Sequence, residues 1–252
     1  MVGPNSNGRK KMADKPSLAA RGESVPATAP SSDLDSFLAE IRGRTTATTT
    51  RGRLVFALDA TASREWAWDT ACELQAEMFR EVAATGGLNM QLVYYRGIGE
   101  CRASRWFSDP KQLAKTMSQI MCNAGPTQIE KILIHAKKET KLLQVSALVF
   151  VGDAMEENPD VLAREANELG CLKVPAFMFQ EGHEVERTFR EVERTFRNIA
   201  QLTHGAYCRF DSGSANQLGE LLKAVAVFAV GGVAALEASK DAGAVKLLRQ
   251  MK

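Results

Sequence analysis

The sequence predicts an α/β protein: a doubly wound, mostly parallel sheet with one antiparallel edge strand and helices on both faces. Three observations carry this. Continuous apolar runs of strand length recur along the chain, as in strands buried on both faces. Between them lie segments whose apolar residues repeat every three or four positions, the period of a helix. Two of the apolar runs end on a carboxylate, Asp59 and Asp153, at the strand ends where such sheets present ligands.

The elements follow in order. Residues 1–33 are rich in Gly, Pro, Ser and Ala and almost devoid of large apolar side chains, so they are expected to be a disordered basic tail. Asp33 to Arg42 places Phe37, Leu38 and Ile41 at helical spacing, and Thr45 to Thr50 is a polar linker; together residues 34–50 form a short helix and linker. Arg53 to Asp59 (RLVFALD) reads as a buried parallel strand. From Ser63 to Thr85 the positions Ala67, Ala71, Leu74, Met78 and Val82 make a helical stripe, ended by Gly86-Gly87. Leu88 to Tyr95 is a strand, Gly97-Ile98-Gly99 a turn, and Glu100 to Phe107 the antiparallel edge. Helices are predicted over Asp109 to Cys122 and Gln128 to Leu143. A strand from Val145 to Gly152 leads to Asp153. Pro159 to Leu169 is a helix with Asn158 as its cap and Gly170 as its stop. Leu172 to Phe179 is a strand, Glu184 to Leu202 a helix, and Ala206 to Phe210 the last strand. Ser214 to Val230 closes the 51–230 domain as a helix, and residues 231–252 are a C-terminal helical extension.

Composition bounds the function. The 252 residues are 45% hydrophobic, 25% charged and 7% aromatic, with a net charge of +2, which excludes a collagen, a disulfide miniprotein and a strongly basic nucleic-acid binder. The charge is uneven: residues 1–21 carry five basic side chains against Asp14 alone, leaving the remainder at −2. Five scattered cysteines without a C-x-x-C pair fit reduced thiols, and no apolar signal segment opens the chain, so a cytoplasmic location is expected. The longest uncharged apolar run, Ala224 to Leu236, has 13 residues, against the roughly 20 needed to span a bilayer. Neither membrane insertion nor nucleic-acid binding is expected.

The residues that carry chemistry are Asp59-Ala-Thr61-Ala-Ser63, Thr127 and Asp153. The pentapeptide alone has two readings, since Asp, Thr and Ser ahead of a helix also satisfy its free N–H groups. The partners favour a cation. All five side chains offer oxygen and none nitrogen or sulfur, which suits Mg²⁺, Mn²⁺ or Ca²⁺ and not zinc. Two carboxylates and three neutral hydroxyls leave such an ion incompletely neutralised, with an appetite for one further carboxylate. Glu156, Glu157 and Asp160 follow on the same edge, either as helix N-terminal acids or as competitors for a cation. Trp66 and Trp68 are either packing residues or anchors flanking the site.

The order D-x-T-x-S after an apolar strand, G-P-T about 65 residues later and an apolar strand ending in Asp resembles the von Willebrand factor type A (vWA) domain, over roughly Arg53 to Val230. The resemblance implies the metal-ion-dependent adhesion site, with Asp59, Thr61, Ser63, Thr127 and Asp153 as its five residues. It further implies that the hydroxyls touch the metal and that the carboxylates act partly through water. Thr61 stands where Ser is commoner, Ala154 follows Asp153 where Gly is usual, and Pro126 precedes the Thr. Intracellular bacterial members that resemble this chain work with AAA-type ATPases or chaperone-like assemblies, which implies a partner of that kind.

Two function classes compete. One is a non-enzymatic, metal-dependent protein-interaction module completed by an acidic residue of a partner. The other is a metal-dependent phosphoryl hydrolase with Asp59 as nucleophile, as in haloacid dehalogenase-like enzymes, but Thr61 occupies the place of their second acid. No G-x-x-x-x-G-K-[ST] or G-x-G-x-x-G is present. The module is the expected function. One feature stands apart: EVERTFR occurs twice in tandem, at 184–190 and 191–197. Val185, Phe189, Val192, Phe196 and Ile199 then form one apolar stripe, of which Val185 or Phe189 is either offered to a partner or absorbed at the helix start.

Overall fold

The computed structural model describes residues 51–64, 87–182, 187–210 and 215–251. All belong to the second of two units into which the chain divides, the boundary falling between Thr48 and Thr49. The basic tail, the short helix and linker, the helix expected after Ser63 with Trp66 and Trp68, and Val185 lie outside the described residues.

Strand β1 (Gly52–Asp59) has every residue buried, as its unbroken apolar run requires. It pairs in parallel with β2 (Leu88–Arg96) on one side and β4 (Ala147–Gly152) on the other. Strand β3 (Glu100–Ala103) returns antiparallel beside β2, and β5 (Ala176–Glu181) and β6 (Ala206–Phe210) continue in parallel beyond β4. The order is β3-β2-β1-β4-β5-β6. It reverses direction between β1 and β4, and it is at such a switch point that open sheets bind ligands.

Side chains alternate across the sheet, so each strand feeds two cores. Leu54, Phe56 and Leu58 of β1 join one with α1 (Pro110–Met117), α5 (Ala215–Ser239) and α6 (Ala242–Gln250). Val55 and Ala57 join the other with α2 (Ile129–Leu142), α3 (Pro159–Cys171) and α4 (Arg187–Leu202). The result is a three-layered sandwich. On the second face Phe150, 1% exposed, stacks on Tyr95 at 6.2 Å between centroids and meets Phe196 edge-on at 5.4 Å.

Several boundaries differ from expectation for identifiable reasons. Gly170 does not stop α3; a Cβ there would lie 2.2 Å from the Leu202 carbonyl oxygen, so the glycine permits close approach of α3 and α4. The chain leaves the helix at Lys173, which takes φ 58°. Strand β5 therefore begins only after Pro175 and runs on through Gln180 and Glu181, both buried. Gln180 is satisfied there by the Tyr207 hydroxyl at 2.8 Å and the Phe189 carbonyl at 3.2 Å. The edge strand β3 stops at Ala103 because the Ser104 hydroxyl accepts the Leu92 N–H in place of a backbone carbonyl. The Ser104 N–H still donates to the Leu92 carbonyl at 2.8 Å, and the next backbone pair is Met90 with Phe107.

By length and composition the stretch Asn216–Ser239 could cross a membrane. Here its apolar side is committed to the sheet: Leu218, Leu221, Leu222, Val225 and Ala229 are buried in the first core. Gly232, at φ 66° and ψ −160°, breaks the helix. Leu236 and, from α6, Ala244 and Leu247 are buried in the same core. The cysteines at 101, 122, 171 and 208 are free thiols.

The aromatic contact between the sheet and α4 yields a prediction. Phe150→Ala should lower stability by about 3–5 kcal/mol in urea denaturation, because it removes a fully enclosed ring and leaves a cavity. A loss under about 1 kcal/mol would show that this face is not close-packed.

Candidate metal centre

Asp59 is the last residue of β1 and is fully buried. Its register partner on β2 is Tyr95. The Tyr95 hydroxyl donates to Asp59 Oδ2 at 2.9 Å, and the Thr61 backbone N–H donates to Oδ1 at 2.8 Å. The carboxylate thus closes a tight turn and is aimed by a buried phenol. Thr61 Oγ1 lies 3.1 Å from Ser63 Oγ. Thr61 is buried and Ser63 exposed, so the pair of hydroxyls leads from the interior outward.

Thr127 sits in the loop before α2. That loop is fastened to the first by the Asn123 N–H on the Ala60 carbonyl, 3.1 Å, and to the β2–β3 turn by the Gly97 N–H on the Asn123 carbonyl, 3.0 Å. At Gly125 a Cβ would come 2.1 Å from the Gly97 carbonyl oxygen; only glycine admits this approach. Thr127 Oγ1 accepts the Glu156 N–H at 3.0 Å, and the Glu156 carboxylate accepts the Thr127 N–H at 3.2 Å. Through this reciprocal pair Thr127 is tied to the loop that follows Asp153.

Asp153 continues β4 beyond Gly152, next to the end of β1. Its Oδ1 is buried and has no hydrogen-bond partner among the described residues. Burial pushes the Asp59 carboxyl above its ordinary value; the hydrogen bonds from Thr61 oppose this, and the neighbouring charge of Asp153 adds to it. Burial, followed by the Asp59 charge, holds the Tyr95 hydroxyl far above its usual range, so it remains a donor.

The structure therefore brings Asp59, Thr61 and Ser63 together by direct contact. It joins Thr127 to the Asp153 loop and couples the two carboxylates electrostatically. The acids after Asp153 have another task. Glu157 accepts the Ile129 and Glu130 N–H groups at 2.7 and 2.8 Å, capping α2 instead of the helix that follows it in sequence. Asn158 caps that helix by accepting the Asp160 N–H at 2.9 Å. Among the described residues no group of three or more His, Cys, Asp and Glu could hold a metal. The candidate set has only two carboxylates and owes its remaining oxygens to hydroxyls.

Two residues here escape sequence reasoning. Tyr95 looks like one more apolar strand residue until the β1–β2 register places it opposite Asp59. Arg64, 1% exposed, has its Nη1 2.5 Å from Glu181 Oε2 at the end of β5. Since β4 lies between β1 and β5, this ion pair bridges over the strand that leads to Asp153. Phe189 is buried, 6% exposed, with its carbonyl accepting from Gln180. It is therefore absorbed into the helix start and not offered to a partner.

The strand order, the switch point and the oxygen-lined edge define a three-layered α/β domain of the von Willebrand factor type A fold. Solved structures agree. A von Willebrand factor type A protein from Catenulispora acidiphila superposes with a TM-score of 0.58 at 16% identity, over 72% of this chain and 43% of its own. The VWA domain of SpRpn10 gives 0.54 at 8% identity, covering 67% of this chain and 95% of that domain. An aerotolerance-related membrane protein from Bacteroides fragilis gives 0.51 at 16%, covering 68% and 96%. At these identities the likeness is one of fold. The chain spans less than half of the Catenulispora protein and nearly all of the other two. No protein-family model matches the sequence, and neither does any curated protein.

The raised pKa of Asp59 has a pH consequence. The folded state holds this proton more tightly than the unfolded chain, so stability contributed by the protonated form is present below the ordinary value of 3.8. It is lost as pH rises through the folded value. In chelator, Asp59→Asn should flatten that decline in thermal melts taken as a pH series. Parallel curves for the two proteins would show that Asp59 is not destabilised by its burial.

Proposed function

We propose that the chain is a metal-ion-dependent protein-interaction module in which Asp59, Thr61, Ser63, Thr127 and Asp153 hold a divalent cation, Mg²⁺ or else Mn²⁺ or Ca²⁺. The observation that carries the reading is the unanswered charge at the edge. Asp153 Oδ1 is buried without a hydrogen bond among the described residues, beside an Asp59 whose own charge is disfavoured by burial and by Asp153. A fully buried carboxylate beside a second, partly buried one is costly unless a cation is placed between them. The donor set is all oxygen, which suits a hard ion. A bound cation would act as a Lewis acid whose open positions accept a carboxylate. Asp or Glu of a partner protein is the complementary ligand.

The environment of Asp59 supports binding over hydrolysis. A nucleophilic carboxylate must present an oxygen to an incoming phosphorus, whereas both Asp59 oxygens are engaged, by Thr61 and Tyr95, in a fully buried position. The resemblance to intracellular bacterial vWA proteins extends the proposal to a cytoplasmic partner in an AAA-type ATPase or chaperone-like assembly.

Titration of Mg²⁺ or Mn²⁺ should raise the melting temperature of the wild-type chain and leave Asp59→Ala and Asp153→Ala unmoved. At one hundred times Kd the stabilisation should be about 2.7 kcal/mol. A wild type indifferent to every divalent ion would overturn the metal reading. Affinity isolation with and without chelator, beside an assay on a generic phosphate monoester, separates module from hydrolase. A partner lost in chelator and no turnover are expected; metal-dependent turnover abolished by Asp59→Asn would establish the hydrolase instead.

A further inference from the structure

Among the described residues β3 ends the sheet beside β2, and its outer edge is accessible. Arg102 and Ala103 are exposed and Cys101 is half-buried. Opposed residues of an antiparallel pair alternately exchange both backbone bonds or neither. Ala103 lies opposite Val93, so Ser104 lies opposite Leu92, and the Ser104 N–H donates to the Leu92 carbonyl. Arg102 and Glu100, two and four positions earlier, therefore turn their backbone groups to β2. Cys101 and Ala103 turn theirs outward. Gly99, two positions before Cys101, agrees: its carbonyl accepts from Lys131 Nζ of α2 at 3.0 Å.

Beside this edge, between β3 and α2, lies a cavity of about 360 Å³. Val93, Ala103 and Ile134 give it apolar walls, and its charged lining is Arg102, Lys131 and Lys138, with no carboxylate. The α2 side is a single helix face, since Lys131, His135 and Lys138 follow at intervals of four and three. Glu100, the acid of β3, accepts from both Arg96 at 3.1 Å and Arg102 at 2.7 Å. One carboxylate is thus divided between two guanidinium groups. Lys131 is held by neutral acceptors, the Gly99 carbonyl and Gln128 Oε1 at 2.8 Å. Lys138 is exposed and has no ion pair among the described residues. The edge carries surplus positive charge.

We propose that the outer edge of β3 binds an extended acidic segment of a partner protein as an added strand. The outward backbone groups of Cys101 and Ala103 supply the pairing, and Arg102, Lys131 and Lys138 select carboxylates. Main-chain pairing gives such a site affinity and the flanking side chains give it specificity. Strand β3, Glu100–Ala103, spans about 13 Å, which suits a segment of about four to six residues. Side chains of the added strand alternate between faces, so every second one meets the lysines of α2. Two copies of this edge would bring the same cations face to face, which disfavours self-pairing. None of the five candidate metal residues lines the cavity, so binding here does not depend on a cation.

The test uses the full chain in chelator, which removes the proposed metal site from the readout. The probe is a fluorescein-labelled decapeptide of alternating Glu and Val, followed by fluorescence anisotropy. Saturable binding is expected, with little for the Lys–Val counterpart. Lys138→Glu should weaken binding about fivefold or more. Ala103→Pro removes only an outward N–H, a change that a sheet edge tolerates. It should weaken binding comparably in protein shown by circular dichroism to be folded. On the wild-type chain, hydrogen exchange at the Cys101 and Ala103 amides should be fast when free and slowed by the peptide. Any of four results overturns the proposal. They are no binding of the Glu–Val peptide up to about 1 mM, wild-type affinity in Lys138→Glu, and exchange at the two amides that the peptide leaves unchanged. The fourth is a dimer of the free chain that Ala103→Pro dissociates, which would give the edge to a second copy.

Discussion

Strand β1 is buried along its whole length, between two strands and beneath two helical layers, and much of the site follows from that constraint. A strand in that position must still end, and its last residue is a fully buried carboxylate. Its oxygens are hydrogen-bonded from within: the Thr61 N–H closes the turn on one and the Tyr95 hydroxyl donates to the other. These two bonds set where the chain turns after β1, and hence where the Thr61 and Ser63 hydroxyls emerge. They leave the negative charge itself uncompensated, so that the neighbouring Asp153 adds to the difficulty. The edge is thus rigidly built and electrostatically incomplete, the combination expected of a site organised for a cation.

The acids around the site divide into two groups by what they touch. Glu156 and Glu157 are spent on backbone N–H groups of the Thr127 loop and of the start of α2, where they satisfy orphan donors of a helix end. Because those bonds cross from one loop to another, they also set the position of Thr127 relative to the chain after Asp153. The Arg64–Glu181 pair does comparable work across the end of β4. A buried ion pair of this sort contributes geometry more dependably than stability. Its cation faces Glu181, and Asp153 Oδ1 has no hydrogen bond among the described residues.

Hydrophobic patterning made most of the fold readable in advance. Strands β1, β2, β4 and β6 lie close to where continuous apolar runs place them, because burial on both faces demands such runs. The departures arise where polar residues are buried. Gln180 and Glu181 belong to β5, yet their side chains conceal it, since hydrogen bonds from Tyr207 and an ion pair with Arg64 exist only after folding. Gly170 carries the opposite lesson: it resembles a helix terminator but is a contact residue, its meaning set by a carbonyl on another helix. In the repeated EVERTFR segment the stripe of Phe189, Val192, Phe196 and Ile199 is apolar by sequence and buried in the structure.

What the sequence determined by itself was periodicity and donor chemistry: alternating strands and helices, and five oxygen-bearing side chains spaced so that two strand ends and two loops could supply them. Those are properties of local order along the chain. Only the tertiary structure decided that Tyr95 aims Asp59, that Glu157 caps α2 and not the helix beside it, and that Asp153 keeps a buried oxygen unanswered among the described residues. Each of these depends on strand register and strand order, which bring together residues tens of positions apart.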